Sequence, residues 1–196
     1  MLSFVDPSPD PASGAEARGA MGMRLFLLAL GILFAASMLG YVLIRFSPRS
    51  PAAGTLHLPP LLLLSTMLML ASSFTMQRAL AAGRRADTAA LRRSMLMTLV
   101  LAGAFILVQT PALLSLLGQH QKFRGSGLGL YGLIFFLILL HALHVAGGIV
   151  ALVRAAAGAW GGPAVHNQPA LRYASMYWHF LDGVWLALFA VLWLSR

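Results

Sequence analysis

The chain has 196 residues, 59% of them hydrophobic and 10% charged, with a net charge of +9 and a mean hydropathy of +0.81. A soluble domain carries about 25% charged residues, and a small fold has too much surface to hide such a deficit, so the composition excludes a water-soluble protein. The basic surplus does not indicate nucleic acid, because the arginines sit between apolar runs with no basic domain or aromatic stacking platform.

Residues 1–20 are rich in Pro, Asp, Ser, Ala and Gly and read as a disordered tail, leaving residues 21–196 as one membrane domain. Five apolar segments follow, at about 23–44, 58–80, 93–117, 128–153 and 171–195. Each approaches or exceeds the ~20 residues that cross ~30 Å of hydrocarbon. The expected fold is therefore an all-α integral membrane bundle of five transmembrane helices. The first segment has basic residues ahead of it and Ala35-Ala36-Ser37 as a conceivable cleavage site. Its apolar run continues to Ile44, beyond the length of a signal peptide, and it reads as a retained helix.

In the second segment Ser72, Ser73 and Thr75 have two options, bonding across helices or back onto their own carbonyls. The methionines Met67, Met69, Met95 and Met97 read as core filler rather than copper ligands. Pro111 should shape the third helix locally, and Gln109 beside it is an amide in need of a partner. Gly125, Gly127, Gly129 and Gly132 lead into the fourth helix, where small residues permit close approach.

Arginines orient the bundle. Arg78, Arg84, Arg85, Arg92 and Arg93 lie between the second and third segments, and Arg18, Arg24, Arg154 and Arg172 fall on the same side. The other side holds Arg45, Arg49, Lys122, Arg124 and Arg196. Nine against five places the N terminus in the cytoplasm and the C terminus outside. Trp160 and Trp193 then fall near the two interfaces, as an aromatic belt requires.

The fourth and fifth segments carry the residues that most need explaining. His141 and His144 share one helix face, and His179 and Asp182 repeat that spacing on the next helix. An ionisable group at this depth costs about 3 kcal/mol on insertion scales. With midpoints near 140 and 183, His141 and Asp182 come within ~2 Å of the midplane, and His144 and His179 lie ~5–6 Å inward. That register predicts two stacked interhelical pairs, His141 with Asp182 and His144 with His179. The cluster admits three further readings: a metal site of three imidazoles and a carboxylate, haem ligation, which would need partners on other helices, and a proton relay. Diiron chemistry would want Glu-x-x-His pairs, and the sole glutamate is Glu16 in the tail. With no cysteine, thiolate metal sites and cysteine nucleophiles are excluded too.

The run Tyr131-Gly132, Phe135-Phe136, His141, His144-Val145 and Gly148 resembles a signature of subunit III of the haem–copper oxidases. Tyr177-Trp178-His179-Phe180-Leu181-Asp182 with Val184-Trp185 is similar to that family's closing signature. Pro59 followed by Ser65-Thr66 and Ser72-Ser73-Phe74-Thr75 resembles an earlier one, and the likeness extends over about residues 20–196. The five-helix form matches the short bacterial version of the family.

The resemblance implies a multi-pass protein of the bacterial cytoplasmic membrane that is not itself an enzyme and holds no haem, copper or other metal. It implies packing beside catalytic subunit I, which with subunit II would carry the haems and copper, support of proton uptake, and bound phospholipid. By the same likeness His141, His144, His179 and Asp182 form a structural polar network. Tyr131, Gly132, Gly148, Tyr177, Trp178, Trp185, Ser72, Ser73 and Gln109 would serve packing. Two positions depart from the family pattern: Leu30 stands where relatives carry a buried acid, and Ala112 where they often carry a polar group. Roles that depend on the first carboxylate should be absent. Remaining alternatives are the accessory subunit of a nitric oxide reductase, membership in a larger respiratory assembly, a stand-alone His/Asp metalloprotein, or a small transporter.

Overall fold

A computed structural model describes residues 11–47, 60–121, 128–161 and 168–194. They form five helices: α1 Pro11–Arg45, α2 Leu61–Arg84, α3 Thr88–Gln121, α4 Leu128–Gly161 and α5 Gln168–Leu194. Four segments, Ala17–Arg45, Thr88–Ser115, Phe135–Gly161 and Pro169–Leu194, are long and apolar enough to cross a membrane. The segment from α2 is not among them. Its apolar run is broken by Ser65, Thr66, Ser72, Ser73 and Thr75, and it runs into Gln77 and Arg78.

Helix limits differ from the hydropathy limits where polar residues continue a helix beyond the apolar run. α1 begins at Pro11, inside the stretch expected as tail. Proline is pre-shaped for a first turn, and the alanines that follow favour helix. The five arginines expected in a loop are mostly helical, because α2 and α3 are separated by Arg85, Ala86 and Asp87 alone. The backbone N–H of Asp87 donates to Ala82 O and that of Ala86 to Gly83 O, which closes α2 with a Schellman motif. Ala86 takes the left-handed position of that motif, φ 54°. Asp87 Oδ1 then accepts from Ala90 N at 2.9 Å and caps α3. α3 continues through Pro111.

α2 packs on α3 and α5, α4 on α3 and α5, and α1 on α4 and α5. The main core holds Leu62, Met69, Met76, Leu91, Met95, Phe105, Leu152, Trp178 and Leu181. A second cluster of Phe34, Tyr41, Leu137, Val184 and Leu188 attaches α1. Leu30, at the position where an acid was expected of relatives, is a core residue, and Ala112 is fully buried. Met69 and Met95 fill the core as expected, whereas Met67 and Met97 point outward, each two residues along its helix and so on the far face. The outer surface is apolar, with Leu28, Leu43, Met67, Leu107 and Leu143 all exposed. That is the surface a bilayer would cover. Trp160 and Trp193 are exposed near the ends of α4 and α5.

Candidate functional site

The polar side chains of α2 meet the aromatic side chains of α5 along one seam. Trp178 and Trp185 are seven residues apart, so both indoles leave the same face of α5. Trp178 Nε1 donates to Ser72 Oγ at 3.0 Å, and Trp185 Nε1 donates to Thr66 Oγ1 at 3.0 Å. Each hydroxyl also donates within its own helix, Ser72 to Met69 O at 2.7 Å and Thr66 to Leu62 O at 2.7 Å. The two options open to these hydroxyls are therefore used together: the proton satisfies a local carbonyl and a lone pair receives the indole. Thr75 contacts Thr98 of α3 at 2.8 Å and extends the seam to a third helix.

His179 lies beside this seam, with Nδ1 at 2.6 Å from Ser73 Oγ and 3.5 Å from Asp182 Oδ2. Both carboxylate oxygens of Asp182 are buried without a hydrogen bond among the described residues. His141 is 3% exposed. Its ring stacks on Trp185, with centroids 5.4 Å apart, and meets the edge of Phe34 at 6.3 Å. Among the described residues, both of its ring nitrogens lack hydrogen-bond partners, as do both polar atoms of Gln109. His144 bonds Leu140 O through Nδ1 at 2.6 Å, and Phe34 meets its ring at 5.4 Å. Because a carbonyl only accepts, Nδ1 of His144 carries the proton.

The two interhelical pairs expected from depth are not formed. His141 faces Trp185, nearly one turn beyond Asp182, and His144 is engaged by its own helix and by the Tyr177 hydroxyl, which donates to His144 O at 3.1 Å. Gly148 sets this register. A Cβ there would lie 2.6 Å from Leu181 Cδ1 and 3.3 Å from the Trp178 ring, so α4 and α5 approach through that glycine. Midpoints taken from hydropathy missed the shift because α4 continues to Gly161 and α5 starts at Gln168.

Gly132 has open space where a Cβ would be, so it makes no close approach among the described residues. Gly125 and Gly127 lie outside the described residues, as do the surroundings of Gly129 and the side chain of Tyr131. Among the described residues, no group of three or more His, Cys, Asp or Glu is arranged to hold a metal ion. Phe34 and Thr98 complete the site, and so does Arg92, whose Nε donates to Ala159 O at 2.9 Å and joins α3 to the end of α4. In the sequence Arg92 stands out only as one of the orienting arginines, and Phe34 and Thr98 do not stand out. An arginine or a phenylalanine in an apolar run gives no sign of which helix it will reach.

The family model for cytochrome c oxidase subunit III matches residues 16–195. A protein named probable cytochrome c oxidase subunit 3 in Mycobacterium bovis is 33% identical over 180 residues, covering 86% of this chain and 84% of the relative. Cytochrome c oxidase subunit 3 of Bacillus sp. strain PS3 is 28% identical over 176 residues, 89% and 84% of the two chains. Cytochrome bo(3) ubiquinol oxidase subunit 3 of Pseudomonas aeruginosa is 27% identical over 187 residues, 94% and 88%.

Proposed function

The chain belongs to the cytochrome c oxidase subunit III family, and from that premise we propose that it is the non-catalytic subunit III of a respiratory terminal oxidase in a bacterial cytoplasmic membrane. It packs on subunit I, stabilises it and supports proton uptake during oxygen reduction. Haems and copper belong to the partner subunits, and phospholipid covers its outer face. The observation that carries this reading is how the motif side chains are used. Trp178, Trp185 and Tyr177 spend their polar atoms tying α5 to α2 and α4. Such ties build a rigid body with a broad apolar exterior, which suits a subunit whose chemistry happens in a neighbour.

In this reading all five helices cross the membrane. The hydroxyls that lower the hydropathy of α2 face α5 and α3 rather than lipid, so they carry little of the cost of exposed polar groups in hydrocarbon. The arginines at the α2–α3 turn, with Arg154 and Arg172, support a cytoplasmic location for that end and the N terminus. The electron donor is cytochrome c or a quinol, since relatives carry both names.

Purification of the native complex in mild detergent is the test. The chain should co-purify stoichiometrically with haem-bearing subunits, and oxidase activity should decay faster during turnover once it is removed. A chain that purifies alone from membranes rich in oxidase would overturn the proposal.

A further inference from the structure

Among the described residues, the face of α5 between α1 and α2 forms a groove that no helix covers. α1 and α2 both pack on α5, while the packing between α1 and α2 is slight. One side of α5 meets α2 through Trp178 and Trp185, and another meets α1, where a Cβ on Gly31 would lie 3.7 Å from the Phe180 ring. Helical spacing puts Gly183, Ala187 and Ala190 on the strip between those two sides. All three are exposed, and a Cβ on Gly183 would meet nothing within 4 Å.

His179 borders the same strip. Its side chain is 32% exposed, with Nδ1 on Ser73 and the Asp182 carboxylate 3.5 Å behind it. That carboxylate is 8% exposed and has no hydrogen bond. Within the span Pro169–Leu194, His179 lies about 4 Å from the midpoint at 1.5 Å per residue. Acyl chains offer an imidazole no hydrogen bond at that depth, and an ionisable residue there is expected to face protein or a hydrated cavity. Small residues beside it permit another helix backbone to come close.

We propose that this groove receives one transmembrane helix of a partner oxidase subunit, which crosses over Gly183 with a small residue of its own and presents a hydrogen-bonding side chain to His179. The assignment rests on the subunit III reading and names the surface through which that assembly would be held. The small residues set the distance of approach, and His179, backed by Asp182, sets the polar complementarity that selects a protein helix over lipid.

The test uses the complete complex. A photoreactive benzoylphenylalanine at Ala187 should cross-link to a different subunit of the purified complex; an adduct with lipid only, or with a second copy of this chain, would overturn the proposal. Gly183→Leu should reduce the amount of this chain retained in the purified complex at least tenfold, with its level in membranes unchanged, while Leu107→Trp on α3 leaves retention as in the wild type. His179→Phe should lower retention and His179→Gln restore it. Wild-type retention of Gly183→Leu would sink the groove and leave the subunit III role intact. That role fails separately, if the unsubstituted chain carries no haem-bearing partner.

Discussion

The imidazole of His141 lies nearly parallel to the indole of Trp185, their planes 24° apart and their centroids separated by 5.4 Å. Neither nitrogen of His141 has a hydrogen-bond partner among the described residues, so the contact is one of ring faces. A buried polar group left unsatisfied costs about 1–3 kcal/mol, and an apolar group of similar shape relieves that cost. His141→Leu should therefore leave the bundle as stable as the wild type, or more so. Thermal unfolding in detergent measures this. A loss above about 2 kcal/mol would mean that the nitrogens hold a partner such as a buried water.

The seam between α2 and α5 should show energetic coupling. Removing the indole N–H with Trp178→Phe, or the hydroxyl with Ser72→Ala, breaks the same hydrogen bond of 3.0 Å. Interhelical hydrogen bonds in membranes measure about 0.6 kcal/mol on average by double-mutant cycles, with a maximum near 1.7. The cycle for this pair is expected in the upper half of that range, because both residues are almost fully buried. Additive single effects would show that the bond contributes nothing net.

How much of this was legible in the sequence depended on the kind of signal. Helix number and order were legible because long apolar runs need no knowledge of neighbours, and the family was legible in the runs around His141 and His179. The seam was half legible. Ser72 and Thr66 were visible as hydroxyls in an apolar helix, but their partners Trp178 and Trp185 lie more than a hundred residues away. Register was the part that failed. It is set by one close approach at Gly148, and an error of one turn moves every expected side-chain pair. The turn between α2 and α3 was missed because arginines read as loop by charge, although they favour helix by propensity.

That turn contains a testable strain. Ala86 closes the Schellman motif at φ 54°, a conformation in which a Cβ crowds the following carbonyl and costs about 1–2 kcal/mol. Glycine removes the clash, at some cost in chain entropy. Ala86→Gly should raise stability by about 0.5–1 kcal/mol, because the strain exceeds the added entropy of the unfolded chain. Chemical or thermal denaturation in detergent would show it as a rise in midpoint. An unchanged or lower midpoint would mean that Ala86 bears no such strain.

Gly148 and Gly147 are adjacent, and they should respond oppositely to the same substitution. At Gly148 a Cβ would press on Leu181 at 2.6 Å and on the Trp178 ring at 3.3 Å, with both side chains buried. The leucine can yield only into a packed core, and the indole is pinned by its bond to Ser72. Overpacking of this kind costs about 1–3 kcal/mol. At Gly147 the nearest atom is the Tyr177 hydroxyl at 3.4 Å, on a position exposed at the helix surface. There the gain in helix propensity of about 1 kcal/mol should dominate. Gly148→Ala is expected to destabilise the bundle and Gly147→Ala to leave it unchanged or slightly more stable, measured side by side in detergent. Leu181→Ala should cost less in the Gly148→Ala background than in the wild type, because it removes the atom that the new methyl would strike. Two equal and small effects would show that α4 and α5 do not approach through Gly148, and the register built on that contact would fall with it.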